Sequence, residues 1–174
     1  MSLPRFPLFW LCLIGLLFLP VLYADDSSVE YKIKAGYLYN FTKFITWPAD
    51  GSSTFNLCIL GADPFGNLID TIEQRSASGR PIKLFRLERL TGEPHCHILF
   101  ASTAKALAMG QGGGSTLTVG ENEGFAAQGG MIGFVNKDSR IKLQINLPAI
   151  RQNGLQISAK LLEVADIIGG NSHD

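Results

Sequence analysis

Hydrophobic and polar residues alternate most clearly in the stretch 129–147. An apolar run at 131–135 leads into the polar turn 136–139, and a strict alternation of apolar and polar residues follows. Side chains of a strand point alternately to its two faces, so the second arm buries one face and exposes the other. The stretch therefore predicts an antiparallel hairpin whose apolar face packs against a sheet. Its three glycines, Gly129, Gly130 and Gly133, predict a close backbone approach or a bulge in the first arm.

Nearer the start, a helical pattern begins at Ser27 or Ser28, either of which is a suitable N-cap. It ends before Trp47-Pro48, because a residue that precedes proline disfavours the helical conformation. The apolar side of this helix is predicted to carry Val29, Ile33, Tyr37, Phe41, Phe44 and Ile45. The side that faces mostly away from it is predicted to carry Lys32, Lys34, Asn40 and Lys43.

Strand and helix patterns then alternate along the chain. Strands are predicted at 55–60, 81–87, 95–101 and 115–119 in addition to the hairpin. Helices are predicted at 64–74 with Asp63 as the N-cap, near 103–109, from Pro148 to Gly154, and from about Ser158 to Ile168. The fold class that follows is α/β: a single three-layer domain with a mixed five- to six-stranded sheet flanked by helices and a C-terminal antiparallel hairpin.

The first 24 residues differ from the rest of the chain. Arg5 precedes the apolar run 9–19, and the small residue Ala24 stands before two aspartates. This order is typical of a secretory signal peptide that is cleaved after export, and a retained membrane anchor is the alternative. We therefore expect a signal peptide at 1–24, an exported domain at 25–174 and a periplasmic location.

Removal of residues 1–24 takes away Arg5 and no acidic residue, which leaves 14 Lys and Arg against 15 Asp and Glu. A balanced charge argues against nucleic acid as a partner, because such proteins need a basic face to neutralise phosphates. Cys58 and Cys96 are the two cysteines of the exported part, where disulfides persist. A bridge between them would close a loop of about 39 residues and is preferred over two separate buried thiols.

Residues that support catalysis or metal binding are few. His95 and His97 lie on one face of a predicted strand, but a zinc site needs a third protein ligand, and the spacing does not select between Asp63 and Glu93. There is no Gly-x-Ser-x-Gly or His-Glu-x-x-His motif in the sequence. We expect no enzyme activity, no catalytic residues, no resident metal and no cofactor.

Several distinctive motifs follow one another along about 30–168. The first two are the helix and turn at 34–48 and the strand and turn at 58–66, which contains Cys58. They are followed by 96–100, 117–120, the glycine-rich stretch 124–135, and 145–147 leading into 155–158. Together these motifs resemble the YfiR family of small periplasmic proteins. One departure is that 144–156 contains no cysteine, whereas a second cysteine pair occurs there in the best-known pattern of that family.

The resemblance implies a regulator that binds the periplasmic sensor domain of an inner-membrane GGDEF-type diguanylate cyclase and represses it. It implies control of cyclic di-GMP signalling and biofilm formation, sequestration by an OmpA-like outer-membrane lipoprotein, homodimerisation, and a link to redox state through Cys58 and Cys96. The alternative is a periplasmic module that senses a nucleotide or an amino acid.

Two sets of candidate residues accompany these two functions. The partner-binding candidates lie on the first helix and at its end: Tyr31, Lys34, Tyr37, Asn40 and Trp47. The ligand-binding candidates follow two strands, where α/β sheets bind small molecules: Asp63, Glu121 and Asn122.

Overall fold

A computed structural model describes residues 26–102 and 114–169 of the chain. The predicted signal peptide and the predicted helix 103–109 lie outside these residues. In chain order the elements are α1 Asp26–Phe44, β1 Ile45–Thr46, β2 Phe55–Leu60, two 3-10 helices at Gly66–Leu68 and Asp70–Gln74, β3 Ser76–Ala77, β4 Arg80–Leu87, β5 Ile98–Ala101, β6 Leu117–Gly120, β7 Ile132–Lys137, β8 Arg140–Asn146, α2 Leu147–Gln152, β9 Gln156–Ile157, α3 Ala159–Leu162 and β10 Asp166–Ile168.

The main sheet has eight strands in the order β10-β8-β7-β6-β5-β2-β4-β3, and β1 pairs with β9 in a separate two-stranded sheet. Strands β4, β2, β5, β6 and β7 run parallel to one another, whereas β8 is antiparallel to β7 and β3 is antiparallel to β4. The fold is therefore α/β with a mixed sheet, as predicted. The predicted number of five to six strands was too low, because the short strands β3 and β10 extend the sheet at its two edges.

The long helix α1 is confirmed, but its predicted orientation was wrong over its first half. Val29 and Ile33 are exposed, with 51% and 46% of their surface accessible, whereas Lys34 and Ala35 are buried. The buried side continues through Leu38 and Phe41 into the core, at spacings of three residues that place them on one face. Lys34 can be buried because two carboxylates neutralise its charge, as described below.

Two apolar clusters pack on the sheet. The larger contains the buried residues of α1, α2 and α3 together with inward-facing side chains of the strands, among them Leu57, Ile98 and Val119. The smaller is formed by Cys58, Leu60, Cys96, Leu99 and Ala101, with no residue of a described helix among its members. The described helices therefore cover one cluster, and the second helical layer of the predicted three-layer arrangement is not found among the residues that the structure describes.

Two other predicted helices are shorter than expected. The segment 64–74 forms two 3-10 helices in place of one α-helix, although Asp63 Oδ1 accepts hydrogen bonds from the N–H groups of Phe65 and Gly66, as expected of a cap. The last helix ends at Leu162, and β10 follows, pairing in parallel with β8. The apolar residues near the C-terminus were predicted to form one helical face. They are instead divided between α3 and the edge strand β10.

The hairpin is confirmed as β7 and β8, joined by a two-residue turn at Asp138 and Ser139. Both residues have positive φ angles, 53° and 57°, which is the requirement of the tight turns that match the twist of paired strands. The close approach predicted for the glycines is found at Gly130. A Cβ atom added there would lie 2.3 Å from the ring of Phe125 and 2.8 Å from its carbonyl oxygen. The ring of Phe125 also covers Gly120, so three residues of the glycine-rich region form one packed unit.

Replacing Gly130 by alanine is expected to lower the free energy of unfolding by about 1–3 kcal/mol, because the buried ring of Phe125 must move. Urea denaturation followed by circular dichroism measures this. Gly36→Ala is the matched control: a Cβ there meets nothing within 4 Å, and in a helix interior alanine is expected to stabilise by about 0.5–1 kcal/mol. Equal effects of the two substitutions would contradict the packing described for Phe125.

Candidate functional site

A polar cluster connects α1 with the residue that follows β6. The ammonium group of Lys34 lies 2.6 Å from Glu121 Oε2 and also pairs with Glu30 one helical turn earlier. The hydroxyl of Tyr31 donates to Glu121 Oε1 at 3.4 Å, and Lys34 Nζ lies 4.6 Å from the centre of the Tyr31 ring. The cluster thus combines two predicted partner-binding residues with one predicted ligand-binding residue, a combination that no sequence pattern predicted.

The electrostatics of this cluster favour a permanently charged lysine. Burial alone would lower the pKa of Lys34, but the hydrogen bonds and charges of Glu121 and Glu30 outweigh it and raise the pKa. The pKa of the Tyr31 hydroxyl is also raised, by burial and by the negative charge of Glu121. A lysine that stays protonated cannot serve as a nucleophile or a base. The cluster therefore ties the helix to the sheet.

A second cluster lies after β2, at the same end of the parallel strands. Arg86 Nε donates to Asp63 Oδ2 at 2.6 Å, and one terminal nitrogen of Arg86 donates to Asp70 Oδ1 at 2.7 Å. These two carboxylates raise the pKa of the arginine. Because Asp63 also caps the following turn, both of its oxygens are engaged. The predicted ligand-binding role of Asp63 stays a prediction, and a ligand would have to compete with Arg86 for it.

The other predicted residues occupy different environments. Asn40 is exposed on α1, whereas Tyr37 and Trp47 are half-buried. Tyr37 packs against Phe41 and Phe134, and the indole N–H of Trp47 donates to the carbonyl oxygen of His97 at 2.9 Å. Asn122 begins the turn after β6, where its carbonyl oxygen accepts from the N–H of Phe125.

A third cluster lies at the opposite end of the strands and contains residues that the sequence analysis missed. His97 Nε2 lies 2.7 Å from Asp50 Oδ2, and Arg80 lies 2.8 Å from Asp50 Oδ1 and 3.2 Å from His97 Nε2. His95 Nε2 is 3.8 Å from the same Asp50 oxygen. Asp50 lies in a loop and Arg80 at the start of β4, and both are distant from the histidines in sequence. Only the pairing of β2, β4 and β5 brings the four residues together.

Hydrogen bonding determines the tautomer of His97. Its Nδ1 accepts the backbone N–H of Asn56 at 2.9 Å, so the ring proton must be on Nε2, where it is donated to Asp50. A metal ion bound at Nε2 would require a proton on Nδ1, which would then face the N–H of Asn56. The guanidinium of Arg80 already supplies the positive charge beside Asp50. Asp50, His95 and His97 are close enough for a metal site. The hydrogen bonds instead favour an ion pair between Asp50 and Arg80 beside a neutral His97.

The same contacts shift two pKa values. Burial lowers the pKa of His97, and Arg80 adds to this lowering while Asp50 opposes it. Burial opposes ionisation of Asp50, but hydrogen bonds from Ser52, the charge that His97 carries once it is protonated, and the guanidinium of Arg80 hold the pKa of its carboxyl well below the usual range. The folded state therefore contains a neutral His97 and an ionised Asp50, which form a structural contact between the loop 48–54 and β5.

This arrangement makes the protein sensitive to acid. Unfolded His97 takes up a proton near its usual pKa of 6.5, whereas folded His97 does so only at lower pH, so stability is lost as the pH falls below 6.5. We expect the loss to reach at most about 1.4 kcal/mol per pH unit for this one proton, in urea denaturation at pH 7, 6 and 5. Below 3.8 the Asp50 carboxyl adds a second loss of the same sign.

The matched variants are His97→Gln and His95→Gln. Glutamine at 97 does not titrate, so the dependence between pH 7 and 5 is expected to become flat, although the protein is less stable throughout. Glutamine at 95 is expected to leave the dependence in place, because His97 keeps its hydrogen bonds to Asn56 and Asp50. A persisting pH dependence in His97→Gln would show that another group is responsible.

The fold and the three clusters define an α/β domain in which charged side chains join the elements to one another. Among the described residues no helix is both long enough and apolar enough to cross a bilayer. The YfiR/HmsC-like family model, DUF4154, matches residues 31–166, and the chain belongs to this family. Members of this family are generally non-catalytic regulators. A search among curated proteins finds no match to the chain.

Cys58 and Cys96 form a disulfide with a Cα–Cα distance of 5.8 Å, as predicted. The bridge is buried between β2 and the segment that leads into β5, next to Leu60 and Leu99. A disulfide of this kind is consistent with an extracytoplasmic protein.

Proposed function

We propose that the chain is a periplasmic regulator that binds the periplasmic sensor domain of a membrane diguanylate cyclase and represses it. Through this contact it lowers cyclic di-GMP and limits biofilm formation. The observation that carries the proposal is the family match, which spans residues 31–166 and so includes nearly all of the exported part. A YfiR-type regulator is what this family implies, and a diguanylate cyclase is the partner that it implies.

Three features of the chain support the proposal. The apolar segment 9–19 followed by Ala24 is typical of a cleaved signal peptide, which would deliver the domain to the compartment of the sensor. The disulfide fits that oxidising compartment. The lysine cluster and the Asp50–His97 pair are arranged as structural contacts, so the chemistry of the described residues favours binding over catalysis.

The same family resemblance extends the proposal to the other partners. Sequestration by an OmpA-like lipoprotein of the outer membrane would relieve repression, and the regulator would act as a homodimer. The disulfide would connect repression to the redox state of the periplasm, because loss of the bridge weakens the fold that presents the binding surface.

Deletion of the reading frame tests the proposal in cells that carry the cyclase. We expect cyclic di-GMP, measured by mass spectrometry, to rise several-fold on deletion and to return to its original level when the full chain is supplied. The matched control is a chain that starts at residue 25 and therefore stays in the cytoplasm, and it is expected not to restore repression. Unchanged cyclic di-GMP on deletion, or equal rescue by the control, would overturn the proposal.

A further inference from the structure

The outer face of α1 forms a groove with the second 3-10 helix, which we call the basic groove. Its volume is about 310 Å³, and α1 contributes Lys32, Gly36, Asn40 and Lys43 to its lining. Thr71 and Arg75 line the opposite wall. A Cβ atom added to Gly36 would meet nothing within 4 Å, so the floor of the groove is open to an incoming chain.

Among the described residues, the three cations of the basic groove lack acidic partners. Within residues 26–102 and 114–169, no carboxylate forms an ion pair with Lys32, Lys43 or Arg75. The acids on the neighbouring 3-10 helix are directed elsewhere. Asp70 pairs with Arg86, and a carboxylate oxygen of Glu73 accepts the backbone N–H of Leu84 at 2.9 Å. The groove is therefore a positively charged surface on a chain whose overall charge is close to zero.

Exposed apolar side chains lie on the same face of α1. Val29 and Ile33 are one helical turn apart and are 51% and 46% exposed. They follow the helical spacing that leads to Gly36 and Asn40, so they extend the basic groove toward the start of the helix. A helix face that is apolar at one end and cationic along one side favours a partner with apolar and acidic residues.

We propose that this face of α1 binds an acidic peptide segment of a protein partner. Its carboxylates would pair with Lys32, Lys43 and Arg75, and its apolar side chains would pack on Val29 and Ile33. This inference deepens the proposed regulatory function, on which it rests, by assigning the surface that engages the cyclase domain.

The distribution of charge favours an extended peptide over a small anion. Lys32 and Lys43 are eleven positions apart on one helix, about 16 Å along its axis, which is too far for one phosphate or carboxylate to contact both. The ring of Tyr39 does not offer a free stacking surface to a nucleotide, because Lys43 Nζ and Arg75 Cζ already lie 4.5 Å and 4.6 Å from its centre. An extended acidic chain matches both observations.

In the binding test, the exported protein is added to a labelled twelve-residue peptide with a repeated Glu-Glu-Leu-Gly sequence. Binding is followed by the fluorescence anisotropy of the peptide. The matched peptide contains glutamine in place of glutamate. We expect saturable binding of the glutamate peptide and binding at least about tenfold weaker for the glutamine peptide, since exposed ion pairs add up over several contacts. Absence of saturable binding by the glutamate peptide would overturn the proposal.

Two triple variants separate the basic groove from total charge. K32Q/K43Q/R75Q is expected to weaken binding of the glutamate peptide about tenfold, whereas K137Q/K142Q/K160Q removes the same charge from exposed positions elsewhere and is expected to change it less than about twofold. Both are expected to keep the melting temperature of the parent. Equal weakening by the two variants would overturn the proposal, and so would binding to phosphatidylglycerol vesicles with no binding to the peptide.

A repression assay distinguishes this inference from the proposed function. If K32Q/K43Q/R75Q fails to bind the peptide but still represses the cyclase fully, the regulatory function stands and the assignment of the basic groove is wrong. If the parent chain binds the peptide but does not repress the cyclase, the proposed function is wrong. Loss of both peptide binding and repression in this variant, and in this variant alone, is the result that we expect.

Discussion

Replacing Cys58 and Cys96 together by alanine is expected to lower the free energy of unfolding by about 3–4 kcal/mol, the largest effect of any change considered for this protein. The two residues are 38 positions apart, so the bridge removes much conformational freedom from the unfolded chain. Both sulfur atoms are buried in the smaller apolar cluster, which contains no residue of a described helix. Urea denaturation of the exported protein measures the loss.

Reduction of the parent protein provides the control. Parent protein in dithiothreitol and C58A/C96A without it are expected to unfold at similar urea concentrations, and dithiothreitol is expected to leave C58A/C96A unchanged. If reduction does not destabilise the parent, the bridge does not support the fold. In that case the proposed connection between redox state and repression also fails.

Replacing Lys34 by methionine is expected to lower the free energy of unfolding by about 2–3 kcal/mol. The substitution keeps the unbranched apolar chain as far as Cε but leaves Glu121, whose side chain is only 15% exposed, and Glu30 without their cation. The two carboxylates then repel each other and lack a compensating charge. Thermal and urea denaturation at pH 7 measure the loss.

A double variant isolates the ion pair from the packing of the aliphatic part of Lys34. K34M/E121Q removes the buried negative charge together with the lysine, and it is expected to be more stable than K34M alone. E121Q by itself is expected to be destabilised less than K34M, since Lys34 still pairs with Glu30. Additive effects of the two substitutions would show that Lys34 and Glu121 do not interact.

The sequence predicted the strands of the central sheet well because each carries a strong local pattern. Strand β2 was placed at Phe55–Leu60, and the turn of the hairpin contains the two residues with positive φ angles. The predictions from sequence were wrong where tertiary contacts override the local pattern. Val29 and Ile33 have an apolar spacing that favours burial, yet α1 turns Lys34 inward because Glu121 is available there. A residue 87 positions away cannot be read from the helix alone.

The candidate site was predicted in parts and not as a whole. Tyr31, Lys34 and Glu121 were each selected, but for two different functions, and only the position of α1 beside the end of β6 unites them. Asp50 and Arg80 were missed because an aspartate in a loop and an arginine at the start of a strand are ordinary surface residues. One sequence feature did point to this cluster. His95-Cys-His97 precedes a buried strand, and a buried histidine needs a polar partner.

The helical part of the family motif 34–48 has a buried face and an exposed face. Lys34, Leu38 and Phe41 are buried, and they maintain the fold. Asn40 and Lys43 belong to the same motif but face outward, and together with Lys32 they line the basic groove. Partner binding is expected to depend on this exposed face, where substitution leaves stability nearly unchanged.

Repression of a membrane diguanylate cyclase, as proposed above, requires direct contact between the chain and the sensor domain. The most direct measurement reconstitutes that cyclase in proteoliposomes with its sensor domain outward and GTP inside, and follows cyclic di-GMP synthesis as the exported protein is added outside. We expect saturable inhibition by the parent protein and a substantially higher half-inhibitory concentration for K32Q/K43Q/R75Q than for K137Q/K142Q/K160Q. A rate of synthesis that does not change at any concentration of the parent protein would rule out direct repression.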